Sequence, residues 1–153
     1  MAITHIFHVN VNCSDLDVSK AFYESLGFQS VLDLPTGGDA NLAAGLDLPN
    51  CNGRATIMML DPEQPRQTRL DLLEWVEPRD PQPPYEHLGR LGIARIALRS
   101  TDLTGDYERL SADGVEFLSP PTTMGAHTLF VCMKDPDGSI IELIEFITPP
   151  SAS

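Results

Sequence analysis

The sequence predicts an α+β fold built from two copies of one β-α-β-β-β unit, and three observations predict it. Asp15-Leu16 opens a helical stretch closing at Leu26-Gly27-Phe28, and 87 residues on Asp102-Leu103 opens another, closing at Asp113-Gly114-Val115. The run Leu70-Asp71-Leu72-Leu73-Glu74-Trp75-Val76-Glu77-Pro78 is echoed in pattern, 71 residues later, by Ile141-Glu142-Leu143-Ile144-Glu145-Phe146-Ile147-Thr148-Pro149. The first helix follows a stretch that alternates polar and apolar side chains, the period of a half-buried strand. A chain of 153 residues with 42% apolar content has enough material for one domain of two half-sized modules.

The elements follow in order. From Ile3 to Asn12, His8, Asn10 and Asn12 share one face and Phe7, Val9 and Val11 the other. Ser14 or Asp15 caps the next helix, whose apolar stripe is expected at Val18, Ala21, Phe22, Ser25 and Leu26, with Gly27 as the stop. Strands are expected at Phe28 to Leu34, Arg54 to Leu60 and Arg69 to Val76. The segment Pro35 to Gly53, rich in Gly, Asn and Asp, reads as a surface insertion or an access loop. The second copy runs as a strand from Ile93 to Arg99, a helix from Leu103 to Ala112, then strands Val115 to Leu118, Thr128 to Lys134 and Ser139 to Ile147. Asp135-Pro136-Asp137-Gly138 supplies the turn before the last strand. The expected modules are residues 1–76 and 93–148, joined by a stiff proline-rich linker over residues 77–92.

Composition excludes several classes of function. The formal net charge of −12 repels phosphate backbones and anionic lipid, so no nucleic acid and no membrane surface is expected as a partner. Apolar stretches are interrupted by charge, as at Glu142 and Glu145, so no segment spans a bilayer. The first five residues have no basic or apolar leader character, and Cys13, Cys51 and Cys132 are odd in number and far apart. A cytoplasmic protein with reduced, partly buried thiols is the expectation.

The pattern Asp-Leu-x-x-Ser-x-x-Phe-Tyr-x-x-Leu-Gly-Phe at residues 15–28, with Asp135-Pro136-Asp137-Gly138 followed by Ile141-Glu142-Leu143, resembles the vicinal oxygen chelate superfamily. That group includes glyoxalase I, methylmalonyl-CoA epimerase, extradiol dioxygenases and bleomycin-binding proteins. The resemblance implies a glyoxalase-like fold, an open, cup-shaped mixed sheet, and a homodimer. It further implies one inward side chain from the first and last strand of each module, all four meeting in one cavity. Carried onto this chain, the positions fall on His8, Asp71, Arg95 and Glu142. Metal-dependent members place a histidine or glutamine, a glutamate, a histidine and a glutamate there. Arginine at one position departs from that set, because guanidinium has no lone pair for a metal. Extradiol dioxygenase activity, which needs two histidines and a carboxylate for iron, is improbable for the same reason.

Two function classes stay open. In the favoured reading the chain binds a small molecule, or moves a proton, without a metal or other cofactor. Arg95 then takes the metal's charge, paired with Asp71, Glu142 or both, and Glu142, His8 and Arg95 are the catalytic candidates. In the alternative it is a lyase or isomerase acting through an enediolate, with one divalent metal (Zn, Mn, Fe or Ni) on His8, Asp71 and Glu142. Asn10, Arg99 and Trp75 are candidate substrate-binding residues by strand parity, whereas Phe146 is set outside that face. Glu74 and Glu145 face the other way and are expected to be solvated or at a subunit contact. His5, His87 and His127 read as solvated. No phosphate loop or nucleotide fingerprint names a substrate.

Overall fold

A computed structural model describes residues 2–64 and 66–147. Thr148 and Pro149 of the repeated run therefore lie outside the described residues. The chain divides into two compact units, one ending at Gln82 and the other beginning at Pro83. The first holds β1 (His8–Asn12), α1 (Leu16–Ser25), β2 (Gln29–Gly38), α2 (Ala40–Gly45), β3 (Asn52–Met59) and β4 (Arg69–Glu77). The second holds β5 (Ile96–Arg99), α3 (Leu103–Ala112), β6 (Thr122–Met124), β7 (Thr128–Lys134) and β8 (Ile140–Phe146). Each unit makes one four-stranded mixed sheet, in the orders β1-β4-β3-β2 and β5-β8-β7-β6. The first and last strands of each unit pair in parallel and the other neighbours are antiparallel. The α+β fold of two repeated β-α-β-β-β units is present.

Strand alternation sorts each sheet into two faces. In the first unit Val11, Leu70, Leu72, Thr56 and Met58 are buried. Alternation puts them on one face, and α1 packs on β4, β3 and β2. Helix α1 buries Leu16, Ser19 and Tyr23, not the expected stripe; Val18 is 52% exposed. The contact face is rotated because the small Ser19 lets the helix approach while Tyr23 fills the space with its ring, edge-on to Phe28 at 5.9 Å. In the second unit Leu103 and Leu110 of α3 are buried with Val131, Met133, Ile141 and Leu143. No helix among the described residues is long and apolar enough to cross a membrane.

Local chemistry sets the ends of the elements. The Asp15 carboxylate accepts from the backbone N–H groups of Asp17 and Val18, so Asp15, not Ser14, caps α1. Gly27 closes it at φ 98°, where a Cβ would be strained. The Asp135 carboxylate accepts from the N–H groups of Asp137 and Ser139 and fixes the β7–β8 turn.

The first strand of each unit is shorter than expected, β1 beginning at His8 and β5 at Ile96, so that Arg95 lies just before its strand, and two further segments differ from expectation. The Pro35 to Gly53 stretch is not irregular throughout: β2 continues to Gly38, and Asp39 caps the six-residue helix α2. So short a helix carries too little periodicity to be read from sequence. Val115 to Leu118 is not a strand; Phe117 makes a single bridge to Met133, and pairing resumes only at β6. Pro120 and Pro121, which have no N–H to donate, separate the two.

Candidate functional site

Opposite the helix-bearing face, each sheet carries a row of polar side chains. Parallel pairing sets His8 beside Arg69 and Asn10 beside Asp71, with their side chains on one face. His8 Nδ1 lies 3.3 Å from Asp71 Oδ2, and Arg69 Nη2 lies 3.8 Å from the same oxygen. The Arg69 guanidinium rests on the Phe7 ring, 4.1 Å from its centroid. Further along, Asn10 Nδ2 and Trp75 Nε1 both donate to Asn12 Oδ1, at 3.2 and 3.1 Å. Gly53 stands opposite Trp75 because a Cβ there would come within 2.6 Å of the Glu74 carbonyl and 3.3 Å of the indole. Among the described residues, Arg69 Nε and Asp71 Oδ1 are buried with no hydrogen-bond partner. Each such atom costs about 1–3 kcal/mol.

The second unit repeats this layout with different chemistry. Arg95 Nε donates to Glu142 Oε2. The Glu142 side chain is only 7% exposed, whereas Arg95 is 45% exposed. Where Asn12 meets Trp75, the repeat-equivalent Arg99 lies 5.5 Å from the centroid of the Phe146 ring. Phe146 therefore shares the face of Glu142, four residues away, and its placement outside that face is corrected. Cys132 stands opposite Glu142 on β7 and is buried. Burial pushes its thiol above the usual range, and the Glu142 carboxylate adds to that more than Arg95 subtracts.

Glu74 and Glu145 are part-buried and hydrogen-bonded to backbone rather than solvated. Glu74 Oε2 accepts from the N–H of Leu16 at 2.8 Å, and Glu145 Oε2 accepts from that of Leu103 at 2.8 Å. Each carboxylate tethers its last strand to the N-terminus of its helix, where a negative charge is favoured. Glu74 is also held by Arg54, which reaches Asp17 as well. Glu145→Ala is expected to lower stability by about 1–2 kcal/mol in urea denaturation. Glu145→Gln, which keeps an acceptor, should recover more than half of that loss.

The sequence-derived candidates thus form two pairs, one in each unit: His8 with Asp71, and Arg95 with Glu142. Asn10, Trp75 and Arg99 flank them as expected from parity. Arg69 and Asn12 were missed. Parity had placed Asn12 on this face and the 87-residue offset matched it to Arg99, a signal that was available. His5, His87 and His127 are exposed.

A four-donor metal set does not fit these residues. In the second unit Arg95 offers no lone pair, its Nε–H is committed to Glu142, and the Cys132 thiol is biased against the thiolate that binds metal. The first unit supplies only His8 and Asp71. Among the described residues no three His, Cys, Asp or Glu side chains are grouped as a metal would require.

A duplicated β-α-β-β-β chain with a polar pair on the face of each sheet away from its helix is the class that the fold and site define. The Glyoxalase/Bleomycin resistance protein/Dioxygenase superfamily model matches residues 5–143, and the chain belongs to that superfamily. Among solved structures, a glyoxalase family protein from Bacillus cereus is 18% identical, with a TM-score of 0.83 over 97% of this chain and 99% of its own. The antibiotic-binding protein TnmS3 from Streptomyces sp. CB03234 is 26% identical, with a TM-score of 0.64 over 95% of this chain and 98% of its own. The trypanothione-dependent glyoxalase I of Leishmania major is 22% identical, with a TM-score of 0.65 over 94% of this chain and 87% of its own. No curated protein matches the chain.

Proposed function

We propose that this chain is a metal-free, small-molecule-binding member of the superfamily in which Arg95 supplies the positive charge that a metal supplies elsewhere. The observation that carries the reading is the Arg95–Glu142 pair. Its guanidinium neutralises a buried carboxylate and still has other N–H groups on a half-exposed side chain to receive an anionic oxygen. The likeness to TnmS3, an antibiotic-binding protein, supports a binding role.

Where the ligand also reacts, the chemistry assigned is proton transfer of the lyase or isomerase kind. His8 is the favoured proton carrier, because Asp71 faces its Nδ1 and fixes the ring, leaving Nε2 to take or return the proton. Glu142 is the second candidate, with one oxygen already engaged by Arg95. A reducing cytoplasm belongs to the same reading, supported by three buried cysteines spaced far apart in the chain. A homodimer is part of it by family resemblance.

Elemental analysis of protein purified without chelator tests the proposal. The expected result is far less than stoichiometric divalent metal. Stoichiometric metal in the unmodified protein would overturn the reading. Deuterium exchange into a bound ligand, lost in His8→Gln, separates proton transfer from binding alone.

A further inference from the structure

We infer that Arg99 and Phe146 form a recognition subsite for a small aromatic carboxylate, a flat apolar ring bearing one negative charge. The inference rests on the small-molecule reading above and gives the ligand a chemistry. Its starting point is a charge without a partner. Acidic side chains outnumber basic ones by 22 to 10 in this chain, so a basic group readily finds one. Lys20, Arg54, Arg69, Arg109 and Lys134 all stand within a helix or strand, and each is paired with an Asp or Glu oxygen. Arg95, just before β5, is paired with Glu142. Arg99 closes β5 and is exposed. Among the described residues it is the one basic side chain of a helix or strand without a carboxylate partner. Arg95 shares its charge with Glu142, whereas Arg99 offers its charge whole.

The surroundings of Arg99 are apolar. In the sheet register it stands beside Ile144 of β8, and Ile144 stands opposite Phe130 of β7. Phe146 comes next on the same face, with its ring centroid 5.5 Å from the guanidinium carbon. Ile144 and Phe130 are half-buried, but Phe146 is 58% exposed and has uncovered ring surface to offer. A guanidinium over a ring is held by its face and keeps its N–H edge for an acceptor. Both groups are within reach of a solute as they stand.

Charge and shape select among ligands. A bare phosphate would meet Arg99 and leave Phe146 wet, and a chain of net charge −12 repels a dianion more than a monoanion. A neutral aromatic would cover Phe146 and leave the arginine unmatched. One carboxylate on one aromatic ring satisfies both: it takes two parallel N–H bonds from the guanidinium fork while the ring packs, offset, on Phe146.

The test is an NMR titration of the full chain at low salt with benzoate, acetate and benzyl alcohol. Acetate keeps the charge without the ring, and benzyl alcohol keeps the ring without the charge. Benzoate is expected to bind about tenfold or more tightly than either, with its largest shifts at the Arg99 Nε–H and the Phe146 ring. Arg99→Gln should bring benzoate down to the level of benzyl alcohol, and Phe146→Ala to that of acetate. Arg99→Lys, which keeps the charge but not the fork, should retain only part of the affinity. Equal affinity for the three compounds, no binding by any, or indifference of benzoate to Arg99→Gln would overturn the subsite. Benzoate binding lost in Arg95→Gln and kept in Arg99→Gln would also overturn it, while leaving Arg95 as the anion receptor of the reading above. The three-ligand comparison and the shifts on the unmodified protein stand even where a variant fails to fold. Failure here leaves the metal analysis untouched, and stoichiometric metal would end the metal-free reading without altering this titration.

Discussion

Replacing Arg95 by alanine is expected to lower the stability of the chain by about 2–3 kcal/mol in urea denaturation at neutral pH. The Glu142 side chain is 7% exposed and its Oε2 takes the Arg95 Nε–H, so the variant strands a carboxylate in a poorly hydrated place. Breaking a fully buried pair costs more, but the Arg95 side chain is 45% exposed and water screens its end of the interaction. Glu142→Leu combined with Arg95→Met should return to within about 1 kcal/mol of the parent, since an apolar pair of similar volume leaves no charge unpaired. With the single variants Arg95→Met and Glu142→Leu, the parent and the double variant form a double-mutant cycle whose coupling term isolates the pair. A loss below about 0.5 kcal/mol in Arg95→Ala would mean that the contact carries no net energy and that Arg95 is free for another role.

Leu72→Ala is expected to cost about 3–4 kcal/mol, the larger of the two effects. Leu72 is fully buried, and in the register of β4 it stands beside Val11 of β1 and Thr56 of β3, under α1. Removing its branched end opens a cavity that a sheet hydrogen-bonded on both sides cannot close. The same strand carries Arg69, Asp71 and Trp75 on its other face, so the loss loosens the site from beneath. Leu73→Ala is the control: this neighbour is half-buried on the opposite face and should cost less than half as much. Equal costs would contradict the assignment of faces.

Alternation over residues 8–12 puts His8 and Asn10 on one face, while the family resemblance and the repeat offsets, not alternation alone, lead to Asp71, Arg95 and Glu142, with Trp75 following Asp71 by parity. The 71-residue offset chose Asp71 over Glu74 as the partner of Glu142, and parity agrees: Asp71 faces away from α1 while Glu74 binds its N-terminus. Such readings succeed because strand parity is a local property, set by the period of the backbone alone. Readings that depended on distance fared differently. Asp71 and Glu142 were both open as partners for Arg95, and both for His8. Register decided: Glu142 lies opposite Ala97, two residues after Arg95, and Asp71 lies opposite Asn10, two residues after His8.

What the sequence by itself determined is the duplicated α+β architecture, the helix starts at Asp15 and Asp102, the turn at Asp135 to Gly138, and which side of each strand carries polar chemistry. Tertiary structure alone decided which polar groups meet. Glu74 and Glu145 became tethers for the first N–H of each helix, although 58 and 42 residues separate the partners. Arg69 settled over Phe7 beside Asp71, and Phe146 joined the face of Arg99. The reason is physical: periodicity and capping follow from dihedral angles of neighbouring residues, whereas a side-chain contact depends on strand order, register and helix rotation, and a shift of one residue in any of them exchanges one partner for another.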